Sequence, residues 1–136
     1  MTYEELIEKA MEAKQNAYAP YSGFLVGAAL LTKEGKVYTG CNIECASYGA
    51  TNCAERTAIF KAVSEGERNI EAIAIVGNSD EYIYPCGICR QVIMEFGSRI
   101  KIIVARSEHD FMIHTINNLL PNSFSFSNLK KTDGGL

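Results

Sequence analysis

The chain has 136 residues, 47% of them apolar, and 13 basic against 16 acidic side chains give a formal charge of −3. This length and apolar share suit one folded domain over 1–136 with a sizeable core, and they exclude a disordered chain. No basic run is present to neutralise phosphates and no apolar run approaches the ~20 residues of a membrane span, so neither nucleic acid nor membrane is expected as a partner.

The elements follow in chain order. Thr2 and Glu5 have capping-box spacing, and Leu6, Ala10 and Ala13 recur at helical intervals, so residues 3–16 are predicted helical. The start MTYEELIEKAMEAK lacks the basic-then-apolar pattern of a secretory leader, and a cytoplasmic location is expected. AYAPYSGF reads as a loop, because Pro20 disfavours helix at Ala19 and Ser22-Gly23 continues the turn. LVGAALLT and KVYTGC, separated by KEG, read as a β-hairpin over 25–32 and 36–41. A helix is predicted from Cys53 to Glu65 with Gly66 behind it, then a buried strand in EAIAIVG. A second helix runs from Cys86 to Phe96 and stops at Gly97. KIIVA and DFMIHT give two more strands, and INNLL gives a short helical turn. Helices interleaved with continuous apolar strands imply an α/β layer fold. Residues 121–136 are weakly patterned and expected to form a partly mobile tail.

Five cysteines is an odd number, and in a reducing compartment they serve better as thiols or metal ligands than as disulfides. Cys86-x-x-Cys89 lies at a helix start, where two thiolates can share one ion. Alone, that spacing fits equally a redox pair, half of a structural zinc site, or two packed thiols. Cys53 opens the other helix, and helix N-termini favour thiolate. If the two helices lie side by side, three thiolates converge on zinc and leave the fourth tetrahedral corner open, as a catalytic site requires. Arg56 is placed to fold back and donate to the sulfurs, offsetting their charge. Glu55 sits in the first turn of its helix, where a carboxylate is favourable anyway; beside an open zinc it is also placed for general acid/base work. Two rivals use the same cysteines. One joins Cys86 and Cys89 to His109 and His114 in a finger-like module, against which stand the long gap and the strand KIIVA within it. The other is a thiol redox protein, in which Glu55 is incidental.

The stretches YAPYSGFLVGAALLT (18–32), GCNIE (40–44), CAERTAIFKA (53–62), PCGICRQV (85–92) and LLPNSF (119–124) together resemble the small, homotetrameric, three-cysteine cytidine deaminases. The resemblance implies a three-layer α/β/α fold with a mixed five-stranded sheet and helices on both faces. It implies one zinc per subunit on Cys53, Cys86 and Cys89, and deamination of cytidine and 2′-deoxycytidine in pyrimidine salvage, with zinc-bound hydroxide as nucleophile and Glu55 as proton shuttle. It also implies a pyrimidine nucleoside held by Phe24 at the base, the Ala54 N–H at the ring carbonyl, and Asn42, Glu44 and Tyr48 around the sugar. Asn42 and Glu44, two apart in an extended stretch, face one side, and an acid there suits a hydroxyl better than a phosphate. Phe124 matches a residue that reaches a neighbouring subunit's site; Phe124 and Phe126 stand in a polar tail, where aromatics dock on partners. Cys45 replaces the family's usual asparagine and is expected to face away from Asn42 and Glu44. Tyr84 and Ile88 are bulkier than usual beside the zinc pair and are expected to alter packing or narrow the mouth.

Overall fold

The computed structural model describes residues 1–129. Thr2 opens α1 (Tyr3–Lys14) by accepting from the Glu5 N–H at 3.1 Å, while its hydroxyl donates to the Glu5 carboxylate. The helix ends two residues short of the expected Asn16. The reason lies in the pairing that follows: Tyr18 bridges Ile43, its N–H bonded to Asn42 O at 3.0 Å, and this draws the chain out of helical geometry. After the Pro20 loop come β1 (Val26–Thr32), β2 (Val37–Cys41), a 3₁₀ turn at Tyr48–Ala50, α2 (Ala54–Ser64), β3 (Ile70–Gly77), α3 (Gly87–Phe96), β4 (Lys101–Ser107) and β5 (Asp110–Thr115). Two short helices close the described chain, α4 (Ile116–Leu119) and α5 (Phe126–Leu129). Both long site helices start one residue later than expected, because Cys53 and Cys86 are their extended N-cap residues. From residue 130 on, the expected mobile tail lies outside the described residues.

The strands form one mixed sheet in the order β2-β1-β3-β4-β5, in which β3 and β4 are parallel and the other neighbours antiparallel. Both faces are covered, which is why β3 and β4 read as unbroken apolar runs. On one face Leu6, Ile7 and Ala10 of α1 pack on Ala29, Ala72, Ala74, Val76 and Ile103. On the other, Ala58, Ile59 and Ala62 of α2 and Ile93 of α3 pack on Ala28, Leu30, Ile73, Ile75, Ile102 and Val104. The result is the expected three-layer α/β/α arrangement.

Two glycines set the spacing of the layers. A Cβ on Gly27 would stand 2.0 Å from Ala10 O, so α1 lies directly against β1. A Cβ on Gly40 would stand 2.6 Å from Ala54 O, so the first turn of α2 rests on β2. That second contact fixes the helix end from which Cys53 and Glu55 project.

Candidate active site

Residues 42–44 carry the sugar-side candidates and are held on both flanks. Asn42 O and Glu44 N bond to Tyr18 N and O at 3.0 and 2.9 Å, and Ile43 exchanges both backbone hydrogen bonds with Asn52. Asn52 directly precedes Cys53, so one small ladder ties the Pro20 loop, the Asn42/Glu44 stretch and the start of α2 together. Asn42 is buried; its Oδ1 accepts from Val26 N–H at 2.9 Å and its Nδ2 donates to Phe24 O at 2.8 Å. Glu44 accepts from the N–H groups of Tyr21 and Ser22 at 3.0 Å and from the Ser22 hydroxyl. The Ser22 bonds hold the Glu44 carboxyl below its ordinary range, so it stands ionised at the cavity wall.

α2 and α3 bring their starts together. The Sγ atoms of Cys53, Cys86 and Cys89 all lie within 4.8 Å of one another, with Cys53 and Cys86 at 3.8 Å. Sulfurs each about 2.3 Å from a tetrahedral zinc stand about 3.8 Å apart, the spacing already found between Cys53 and Cys86, with Cys89 within 4.8 Å of both. Cys89 is buried, Cys53 half-buried and Cys86 exposed, which leaves one side of the trio facing the cavity. His109 and His114 take no part in this cluster among the described residues. His114 Nε2 lies 3.1 Å from the Tyr84 hydroxyl, and His109 is exposed beside Glu108.

The charges around the sulfurs are arranged for a cation. The Cys53 thiol is pulled down to about 5, first by the hydrogen bond from Cys89 and then by Arg56, whose Nη2 donates to Cys53 Sγ at 3.4 Å. Cys89 is held as the thiol, because it hydrogen-bonds the Cys53 sulfur and a second thiolate there would face the first. A divalent cation relieves that repulsion and lets all three ionise. Arg56 Nε is buried with no partner among the described residues. Glu55 is only 4% exposed, and burial, aided by the Cys53 thiolate, pushes its carboxyl up to about 7. A carboxyl poised near neutrality is suited to both taking and giving a proton.

A cavity of about 290 Å³ opens over these groups. Phe24, Asn42, Glu44, Cys53, Ala54, Glu55 and Cys86 line it, together with Ile83 and Tyr84. An adjoining cavity of about 370 Å³ shares Ser22, Glu44 and Thr51 and adds Tyr21 and Tyr48, whose rings meet edge to face at 5.8 Å. Cys89 and Arg56 stand behind the cavity wall. Phe124 lines neither cavity: its ring is exposed and its carbonyl accepts from Gln91 Nε2 at 2.8 Å. Cys45 is half-buried and lines neither cavity, and Ile88 is exposed on α3. Ser22, Thr51, Asn52 and Ile83 join the lining unannounced by the sequence. Of these, Asn52 carried a usable signal, its place next to Cys53.

Residues 1–106 match the family model described as the cytidine and deoxycytidylate deaminase zinc-binding region. The chain belongs to this family. It is 49% identical over 126 residues to the cytidine deaminase of Halalkalibacterium halodurans, covering 92% of this chain and 96% of that one. Over 130 residues it is 47% identical to the cytidine deaminase of Sporosarcina psychrophila, covering 95% and 96%. In three dimensions it resembles the crystal structure of cytidine deaminase from Burkholderia pseudomallei at 49% identity and a TM-score of 0.87, over 91% of this chain and all of that one. The matched region contains Cys53, Cys86 and Cys89, and this trio fits one zinc per chain.

Proposed function

We propose that the protein hydrolyses the exocyclic amine of cytidine and 2′-deoxycytidine, giving uridine and 2′-deoxyuridine with release of ammonia. One observation carries this: three clustered sulfurs, two of which line a cavity together with a buried carboxyl near pKa 7, an aromatic ring and an ionised acid. The cytidine deaminases named above support the substrate class.

Zinc held by Cys53, Cys86 and Cys89 supplies Lewis acidity, making water nucleophilic near neutral pH. The remaining work falls to the chain. Glu55 takes one proton of the attacking water and passes it to ring N3, which makes C4 electrophilic; it then takes the remaining proton of the oxygen added at C4 and gives it to the amine, so that the C4–N bond breaks as C4=O forms and ammonia leaves. Phe24 offers a face for the pyrimidine, and the Ala54 N–H at the start of α2 is read as the donor to the ring carbonyl. Asn42 and Glu44 are read as acceptors and orienters for sugar hydroxyls, with Tyr48 beside them. The ionised Glu44 repels a 5′-phosphate, which favours nucleosides over nucleotides. Arg56 steadies the thiolates by donating to sulfur.

The whole of 1–136 is read as one domain that acts in the cytoplasm and binds no nucleic acid; no helix among the described residues is long and apolar enough to cross a membrane. The active form is read as a homotetramer in which Phe124 reaches a neighbouring subunit's site. Phe60, Ile88 and Phe124 are exposed apolar side chains of the kind self-association would cover. Ultraviolet monitoring of cytidine, deoxycytidine, cytidine monophosphate and adenosine tests the activity. Turnover of the first two alone is expected, and failure on cytidine overturns the proposal.

A further inference from the structure

Of the three cysteines, Cys86 is the exposed one, and it ends the irregular link 78–86 between β3 and α3. Cys89 lies within α3, and Cys53 is pinned through its carbonyl, which accepts from both the N–H and the hydroxyl of Thr57. Cys86 is pinned in the same way by the Arg90 N–H at 2.9 Å, and Arg90 Nε donates to Pro85 O at 2.7 Å; further back, the link is held from the β4–β5 hairpin. Arg106 and Asp110 pair at 2.6 Å across the turn. The Tyr82 hydroxyl donates to Asp110 Oδ1 at 2.5 Å, and the Arg106 guanidinium lies 4.5 Å from the Tyr82 ring centroid. Arg106 Nη1 also donates to Asp80 O at 3.4 Å. Ile83 lies so close to the sheet that a Cβ on Gly77 would meet its side chain at 2.5 Å, and it packs with Tyr82 against the core on the α2/α3 side. The link is thus held at Asp80, Tyr82 and Ile83, shortly before Pro85 and Cys86.

We propose that Tyr82, Arg106 and Asp110 form a clamp that positions Cys86 as a metal ligand. The physical reason is a population argument. A site that needs three sulfurs binds with an apparent affinity reduced by the fraction of time the third is out of place. A phenol donating to an ionised carboxylate that is itself paired with arginine is the strong kind of hydrogen bond. Here it acts at the surface, where an unrestrained link would be free to move. Tyr82, Arg106 and Asp110 do not line the cavity, so they are positioning residues that act through Cys86. The proposal rests on the cysteine trio holding zinc.

The test uses the zinc-loaded full chain and follows zinc release into a coloured chelator, alongside the visible spectrum of the cobalt-substituted protein, which reports ligand geometry. Tyr82→Phe and Asp110→Asn are each expected to release zinc about three- to tenfold faster than the parent and to alter the cobalt bands. Lys36→Gln removes an exposed ion pair with Glu67 at 2.7 Å, away from the link, and is expected to leave both readouts unchanged. Parental release rates and cobalt bands in both clamp variants overturn the proposal, as does faster release that merely tracks melting temperature across all three variants. Parent protein that binds no zinc overturns the trio assignment and the clamp with it. Parent protein with zinc and indifferent variants overturns the clamp alone.

Discussion

Replacing Glu55 by glutamine pulls activity and stability in opposite directions, and both magnitudes come from the same burial. Glutamine keeps the shape and removes the ability to carry a proton. Proton transfer by a placed side chain contributes about 10²–10⁴ in rate, and here one carboxyl is assigned both transfers, so turnover of cytidine is expected to fall by at least about 10³. Stability moves the other way in chelator-stripped protein. Burial raises the carboxyl from its ordinary 4.5 to about 7. Below 4.5 the group is neutral in both folded and unfolded chains and costs nothing. As the pH climbs from 4.5 to 7 the unfolded chain ionises freely while the folded one resists, and stability is lost. Above 7 the whole cost is present, about 3 kcal/mol at about 1.4 kcal/mol for each pH unit. Glu55→Gln is therefore expected to be more stable than the parent in urea at pH 8 by up to about 3 kcal/mol, and similar to it at pH 4.5. The assays are zinc content, ultraviolet turnover and urea unfolding at the two pH values. A variant that deaminates cytidine within tenfold of the parent refutes the proton-carrier role, and equal stabilities at pH 8 refute the burial argument.

Three further outcomes are expected. Asn42→Ala strands the Val26 N–H and the Phe24 carbonyl and should cost about 1–3 kcal/mol in urea unfolding, with a raised KM as the Phe24 loop loosens. Arg56→Gln removes the donor to Cys53 and should lower zinc affinity about tenfold in chelator competition. Gly27→Ala drives a methyl into Ala10 O and the Lys14 backbone and should destabilise the fold by about 3 kcal/mol.

The parts of the site that lie on regular elements are legible in the sequence. Cys53, Glu55, Cys86 and Cys89 each sit within the first turn or cap of a helix whose start is marked by composition, so their convergence needs only two helices packed side by side. The inner strands β1, β3 and β4 are legible because they are buried on both sheet faces and their apolar runs are nearly unbroken. What escapes the sequence depends on pairing between distant irregular segments. Nothing local shows that Tyr18 and Asn52 flank Ile43, or that the Asn42 amide closes onto Phe24 and Val26. The Tyr82–Asp110 bond joins residues 28 apart and is equally silent. The end of α1 is misjudged for the same reason: Gln15 and Asn16 are acceptable helix formers, and it is the bridge from Tyr18 to Ile43 that stops them.

The central claim is that three sulfurs from two helices hold one zinc with a corner open to the cavity. X-ray absorption at the zinc edge of the purified, metal-loaded protein tests it most directly. Three sulfur neighbours at about 2.3 Å and one lighter neighbour are expected. A shell of four sulfurs, or one with histidine nitrogens in place of the cysteines, contradicts it.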